Sequence, residues 1–195
     1  MAEKRKRADG LWEPVLDRVR QVKIERDIVS VLQKVAIFEE LSRRDIHNIA
    51  RIAHHRHYGE GEVIIHQDQA SAGMYIIVEG EVEVTKEWED GTIVHLSTLE
   101  DATFFGDVGL LDNAPRTATV TAVRDSKIVG FFRPELLGLL DSDPKLAFKV
   151  VFKLAELLAS RLRFTNNELE KAQQDIDRLK AAQDCPTQTD TQTLI

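Results

Sequence analysis

The sequence has 195 residues, about one domain's worth of chain, and 43% of them are apolar, enough to bury a core. Its 26 Lys+Arg against 33 Asp+Glu leave a net charge of −7, which argues against a dedicated nucleic-acid binder. No apolar run approaches the ~18 residues of a membrane span, no apolar stretch follows the basic residues Lys4–Arg7, and the single Cys185 cannot staple a fold, so the expectation is a cytoplasmic chain with no membrane or nucleic-acid partner. From Leu11 to Val35 the apolar residues Leu11, Val15, Val19, Val22, Ile28, Val31, Leu32 and Val35 recur at helical spacing. Ser42 with Asp45 three residues later marks a capped start for another helix, which carries Ile46, Ile49, Ala50 and Ala53 on one face.

The period then changes to two. Glu62–His66, Met74–Val78, Glu81–Lys86, Thr92–Leu99, Arg116–Val123 and Lys127–Phe132 read as short strands, punctuated by the turn pairs Glu79-Gly80 and Asp90-Gly91. The fold expected is mainly β with flanking α-helices, an antiparallel β jelly roll. Helical spacing resumes at Pro134 with Leu136, Leu137 and Leu140, and restarts after Asp143-Pro144, an N-cap followed by a proline in the first turn. One heptad frame runs through this last helix, with Phe148, Ala155, Leu162, Leu169 and Ile176 at one seam position and Val151, Leu158, Thr165, Ala172 and Leu179 at the other, so a dimeric coiled coil is expected. The divisions expected are a tail and helix over 1–35, the jelly roll over 36–140, a long helix over 141–182 and a disordered tail over 183–195.

Chemistry concentrates in Phe104-Phe105-Gly106-Asp107-Val108-Gly109-Leu110-Leu111 and the following Asp112-Asn113-Ala114-Pro115-Arg116-Thr117-Ala118-Thr119-Val120. Two glycines flank a turn that can present backbone N–H groups to an anion, and Arg116 can meet a phosphate with a forked pair of hydrogen bonds. On composition and spacing alone this reads as a surface loop with one exposed arginine. The segment resembles the phosphate-binding cassette of the cyclic nucleotide-binding domain family, which runs Phe-Gly-Glu, two small or apolar residues, a leucine pair and Pro-Arg-Thr-Ala-Thr-Val. The similarity continues in Ile37-Phe38 with Leu41-Ser42, in Tyr58–Ile64, in Met74–Val82 and in Ala159–Asn166, covering about residues 35–168.

The resemblance implies a regulatory module, not an enzyme, that binds cAMP or cGMP and no metal, with occupancy read out by the C-terminal helix to an effector protein. Gly106, Val108 and Gly109 would supply the turn and its donors, Arg116 would pair with the cyclic phosphate and Thr117 would offer a hydroxyl to phosphate or purine, with Phe105 and Ala118 alongside. Thr165 and Asn166 fall where the catabolite-activator type contacts adenine, one of the pair coming from the partner subunit of a homodimer. Two departures stand out: Asp107 replaces the family's ribose-binding Glu, and Gln67-Asp68-Gln69 replaces a Gly followed by an acid. Asp107 is the feature favouring an alternative, an interaction or oligomerisation protein that has lost tight nucleotide binding. A third reading is a cupin-like metalloenzyme using His55, His57 and Glu62, although Ile49 and Gln69 stand where the flanking glycines of that motif belong.

Overall fold

A computed structural model describes residues 25–183; the run Lys4–Arg7, the apolar positions Leu11 to Val22, Cys185 and the polar tail lie outside the described residues. The chain divides into two units, the first ending at Lys153 and the second starting at Leu154.

The first unit opens with helix α1 over residues 25–32, then a 3₁₀ turn at Ala36–Phe38 and helix α2, Arg43–Ile52. Helix α2 begins as expected: Ser42 Oγ accepts the Asp45 N–H at 3.2 Å and the Asp45 carboxylate accepts the Ser42 N–H at 3.3 Å, a reciprocal cap. Its buried face is Ile46, Ile49 and Ala50, whereas Ala53 is its C-cap.

Eight strands follow: β1 His54–Tyr58, β2 Val63–Ile65, β3 Gly73–Glu79, β4 Glu81–Glu87, β5 Ile93–Glu100, β6 Phe104–Phe105, β7 Thr119–Ala122 and β8 Ser126–Phe132. They form two antiparallel four-stranded sheets, ordered β1-β8-β3-β6 and β2-β7-β4-β5, which is the jelly-roll arrangement. Tyr58, Ile77, Val82, Phe105, Val120 and Ile128 are among the side chains that fill the space between the sheets. A short helix α3, Val108–Leu111, lies between β6 and β7, and α4, Arg133–Ser142, follows β8.

Helix α5, Pro144–Gln183, starts where expected: Asp143 Oδ1 accepts the Leu146 N–H at 3.1 Å. Within the first unit it buries Leu146, Ala147 and Val150, and Lys149 Nζ reaches Asp45 of α2 at 3.0 Å. The second unit comprises residues 154–183 of the helix, and from 161 to 181 every residue is exposed. Among the described residues no helix is long and apolar enough to cross a membrane.

Several expectations need correction. The strands read from the sequence start at Glu62, but an earlier one exists: His54, His55 and His57 sit on strand β1, which pairs with β8 from His54↔Gly130 to Tyr58↔Ser126. Ladder hydrogen bonds are made by backbone, so a polar edge strand carries no apolar alternation to reveal it. The strand read from Arg116 begins only at Thr119, because Pro115 has no N–H and the Arg116 backbone is bonded elsewhere. Helix α4 starts at Arg133, and its buried pair is Leu136 and Leu139; Leu137 and Leu140 face solvent.

Candidate functional site

The Gly106–Arg116 segment folds as a tight turn backed by strand β3. Gly106 has φ +70°, the left-handed conformation that glycine adopts without strain. The turn closes into α3 through Gly109 N–H to Gly106 O and Leu110 N–H to Asp107 O, each 3.1 Å. The Gly109 amide, expected as a ligand donor, is thus engaged within the turn.

Arg116 is only 9% exposed. Its Nη1 donates to Gly106 O at 3.0 Å and its Nη2 to Gly73 O at 2.7 Å, and the guanidinium lies 5.7 Å from the Tyr75 ring centroid. Backbone bonds fix it further: Arg116 N–H donates to Gln69 O at 2.9 Å and Asp68 N–H to Arg116 O at 2.8 Å. Burial lowers the arginine's pKa from its ordinary value, opposed by the nearby Tyr75 hydroxyl and Asp107 carboxylate. Asp107, at the N-cap of α3, is itself 3% exposed, so its charge acts inside the fold rather than in water.

Glycine is required at both ends of the turn. A Cβ at Gly106 would stand 2.5 Å from Arg116 Nη1, and one at Gly109 would overlap Ser71 Oγ. The departure at Gln67-Asp68-Gln69 leaves its turn intact: Asp68 takes φ 65°, a conformation aspartate tolerates better than most side chains. Gln67 also clips this turn to the end of β4, donating to Glu87 O at 3.0 Å and accepting the Glu87 N–H at 2.9 Å.

The remaining residues divide. Phe105 is a core side chain whose ring stacks on Tyr75 at 5.5 Å. Val108 and Thr117 are exposed, and Ala118 is half-buried at the start of β7. Thr165 and Asn166 belong to the second unit, where both are exposed on α5. The fold therefore brings together Gly106, Asp107, Gly109 and Arg116, and adds Ser71, Gly73 and Tyr75, which sequence reasoning did not single out. Gly73 contributes a backbone oxygen and Ser71 a small hydroxyl, so neither has a sequence signature. The chain-order step Ala70↔Pro115, an isolated antiparallel bridge, is what delivers them. At the other end of the cassette, Arg133 Nη1 donates to Leu111 O at 3.2 Å and Asn113 Oδ1 at 3.1 Å. Among the described residues no group of three or more His, Cys, Asp or Glu stands together as a metal site.

A jelly roll with a buried arginine closing a glycine-flanked turn defines a class, and comparison with known proteins gives it a family. Residues 55–143 match the family model of the cyclic nucleotide-binding domain, and this β-roll is a domain of that regulatory family. The chain is 40% identical over 91 residues to the cAMP-dependent protein kinase regulatory subunit of Mycosarcoma maydis, covering 47% of this chain and 17% of that one. It is 29% identical over 134 residues to the cyclic AMP receptor protein of Thermus thermophilus, covering 69% of this chain and 60% of the relative. The crystal structure of the Thermus thermophilus catabolite activator protein superposes with TM-score 0.65 at 28% identity, over 71% of this chain and 63% of that one. The chain thus spans less than two thirds of each of these relatives.

Proposed function

We propose that this domain binds a 3′,5′-cyclic purine nucleotide, cAMP or cGMP, at the Gly106–Arg116 turn, and that occupancy controls a protein effector through the C-terminal helix of a cytoplasmic homodimer. The observation that carries the reading is Arg116: a guanidinium buried to 9% exposure, aimed at a glycine-flanked turn rather than at solvent. Its bonds to Gly106 O and Gly73 O and its charge beside Asp107 hold the guanidinium at the turn, where a monoanionic phosphate would meet it. Thr117 would add a hydroxyl and Asp107 would face the ribose, while Thr165 and Asn166 are assigned to the base on resemblance alone. The relatives include a cyclic AMP receptor protein and cAMP-dependent protein kinase regulatory subunits, which favours cAMP as the first ligand to try.

The test is calorimetric titration of parent and Arg116→Ala with cAMP and cGMP. Because Arg116 also holds Gly106 O and Gly73 O, the variant is expected to melt at a lower temperature even without ligand. The distinguishing readout is ligand-induced stabilisation: nucleotide raises the parent's Tm but not the variant's. Affinity should fall at least tenfold, since a hydrogen bond to a charged group is worth about 1.5–3 kcal/mol. Equal affinity in the two proteins removes the assignment.

A further inference from the structure

Residues 69–73 form a collar around Arg116. Gln69 O accepts the arginine's backbone N–H at 2.9 Å, and Gly73 O accepts from its Nη2 at 2.7 Å. Ser71 stands midway along this collar and is 8% exposed. Its Oγ occupies the space a Cβ on Gly109 would fill, and that same point is 2.9 Å from Arg116 Nη1. Hydroxyl and guanidinium therefore flank one glycine of the cassette turn.

No group among the described residues hydrogen-bonds the Ser71 hydroxyl. The Oγ is nonetheless not walled off: among the described residues the buried side-chain polar atom without a partner is Glu135 Oε2, so the Ser71 hydroxyl stays open to solvent or to a ligand. The same fold contains its own comparison. Ser126 is packed against Gly80 in the same way, so that a Cβ there would overlap its Oγ. Yet Ser126 Oγ donates to Arg124 O at 2.7 Å and accepts the Glu81 N–H at 3.2 Å. One glycine-facing serine is saturated by neighbouring backbone; the other has no hydrogen-bond partner among the described residues and stands beside the one buried arginine of the described chain.

We propose that Ser71 is a ligand contact of this site, its O–H donating to an exocyclic oxygen of the cyclic phosphate whose charge Arg116 meets. The inference rests on the cyclic nucleotide reading. A cyclic phosphodiester spreads one negative charge over two exocyclic oxygens, and these two are stereochemically distinct. A donor fixed on one side of the guanidinium therefore addresses one oxygen and not the other.

The experiment compares parent and Ser71→Ala with cAMP and with its two phosphorothioate diastereomers. In each diastereomer sulfur, a weak hydrogen-bond acceptor, replaces one exocyclic oxygen. Ser71→Ala should weaken cAMP binding about tenfold, within the range for a lost bond to a charged acceptor, while leaving the ligand-free Tm unchanged or raised. One diastereomer should keep that tenfold difference, and the other should bind parent and variant alike. Equal cAMP affinity in parent and variant overturns the proposal and leaves the cyclic nucleotide reading standing. An equal loss with all three ligands also overturns it, by showing that the hydroxyl acts on the fold and not on one oxygen. A folded parent that binds neither cAMP nor cGMP overturns the functional reading and this inference with it.

Discussion

Asp107 is where residue chemistry departs furthest from the family pattern. Its carboxylate is one methylene short of the Glu expected there, and it is 3% exposed beside Arg116. Two effects oppose each other in Asp107→Glu. The longer side chain can reach a ribose hydroxyl directly, a bond worth about 1.5–3 kcal/mol when the acceptor is charged. The added methylene must also fit into packed surroundings, which costs typically about 1–3 kcal/mol. Because the first acts only with ligand bound and the second acts always, they separate experimentally. The variant is expected to melt a few degrees lower than the parent and to discriminate more strongly between cAMP and 2′-deoxy-cAMP. Strong discrimination already present in the parent would show that Asp107 itself reaches the hydroxyl. At this scale the sequence was informative where chemistry is carried by a distinctive residue: Arg116, Gly106 and Gly109 stand together, although the Gly109 amide is spent on Gly106 O. It was silent on Gly73, whose contribution is a carbonyl, and on Ser71, which becomes notable only once its lack of a partner is visible.

Among the elements, α2 shows how a local signal becomes a tertiary one. Asp45 closes the cap with Ser42 and also receives Lys149 from α5 at 3.0 Å. Burial pushes its carboxyl up, but the hydrogen bonds from Lys149 and Ser42 outweigh that and leave it below the ordinary aspartate value of 3.8. A carboxyl with a depressed folded-state pKa contributes stability that is present above the unfolded value and lost as pH falls through the folded one. Parent stability should therefore decline below about pH 4 partly through Asp45. Asp45→Asn is expected to lower stability near neutral pH by about 1 kcal/mol, the usual worth of a cap, and to make the acid decline shallower, followed by thermal unfolding from pH 7 to pH 3. An unchanged acid profile would show that the cap and the Lys149 contact do not favour the charged form. Capping signals were legible because they are local in sequence: Ser42 with Asp45, and Asp143 with Pro144. Strand β1 was not, since His-His-Arg-His carries no apolar alternation and is held by pairing with β8, more than seventy residues further along. The two-residue β6 is too short for any period to show.

For the whole molecule, the second unit poses the largest question. Leu162, Leu169, Ile176 and Leu179 are all between 46% and 67% exposed on a helix whose residues 161–181 face solvent throughout. An isolated helix does not hold such residues in water to advantage, and their heptad spacing is that of a two-stranded seam. The continuous helix was readable from the sequence; what covers its stripe was inferred from spacing, and the proposal is a second copy of the chain. Leu169→Asp with Ile176→Asp would place like charges in that seam, which an apolar interface does not accommodate. Sedimentation should give a dimer for the parent at tens of micromolar and a monomer for the double variant. A parent that is monomeric at that concentration removes the paired helix and with it the partner-subunit base contact expected from Thr165 or Asn166, and leaves standing only the phosphate site proposed at Gly106–Arg116.

The contact between Gly80 and Ser126 carries an implication for how this chain can drift. Gly80 has φ +132° and no room for a Cβ against Ser126, whose hydroxyl in turn serves Arg124 and Glu81. Turns between strands are ordinarily where substitutions accumulate most freely. Here a turn position is locked twice, by its dihedral and by its neighbour, so neutral variation is pushed away from the hairpin that joins β3 to β4 and onto exposed strands such as β5. A saturation library of this domain would then show, at the opposite end of β3 from the Gly106–Arg116 turn, a loop position as intolerant as Gly106 itself, for reasons of assembly alone.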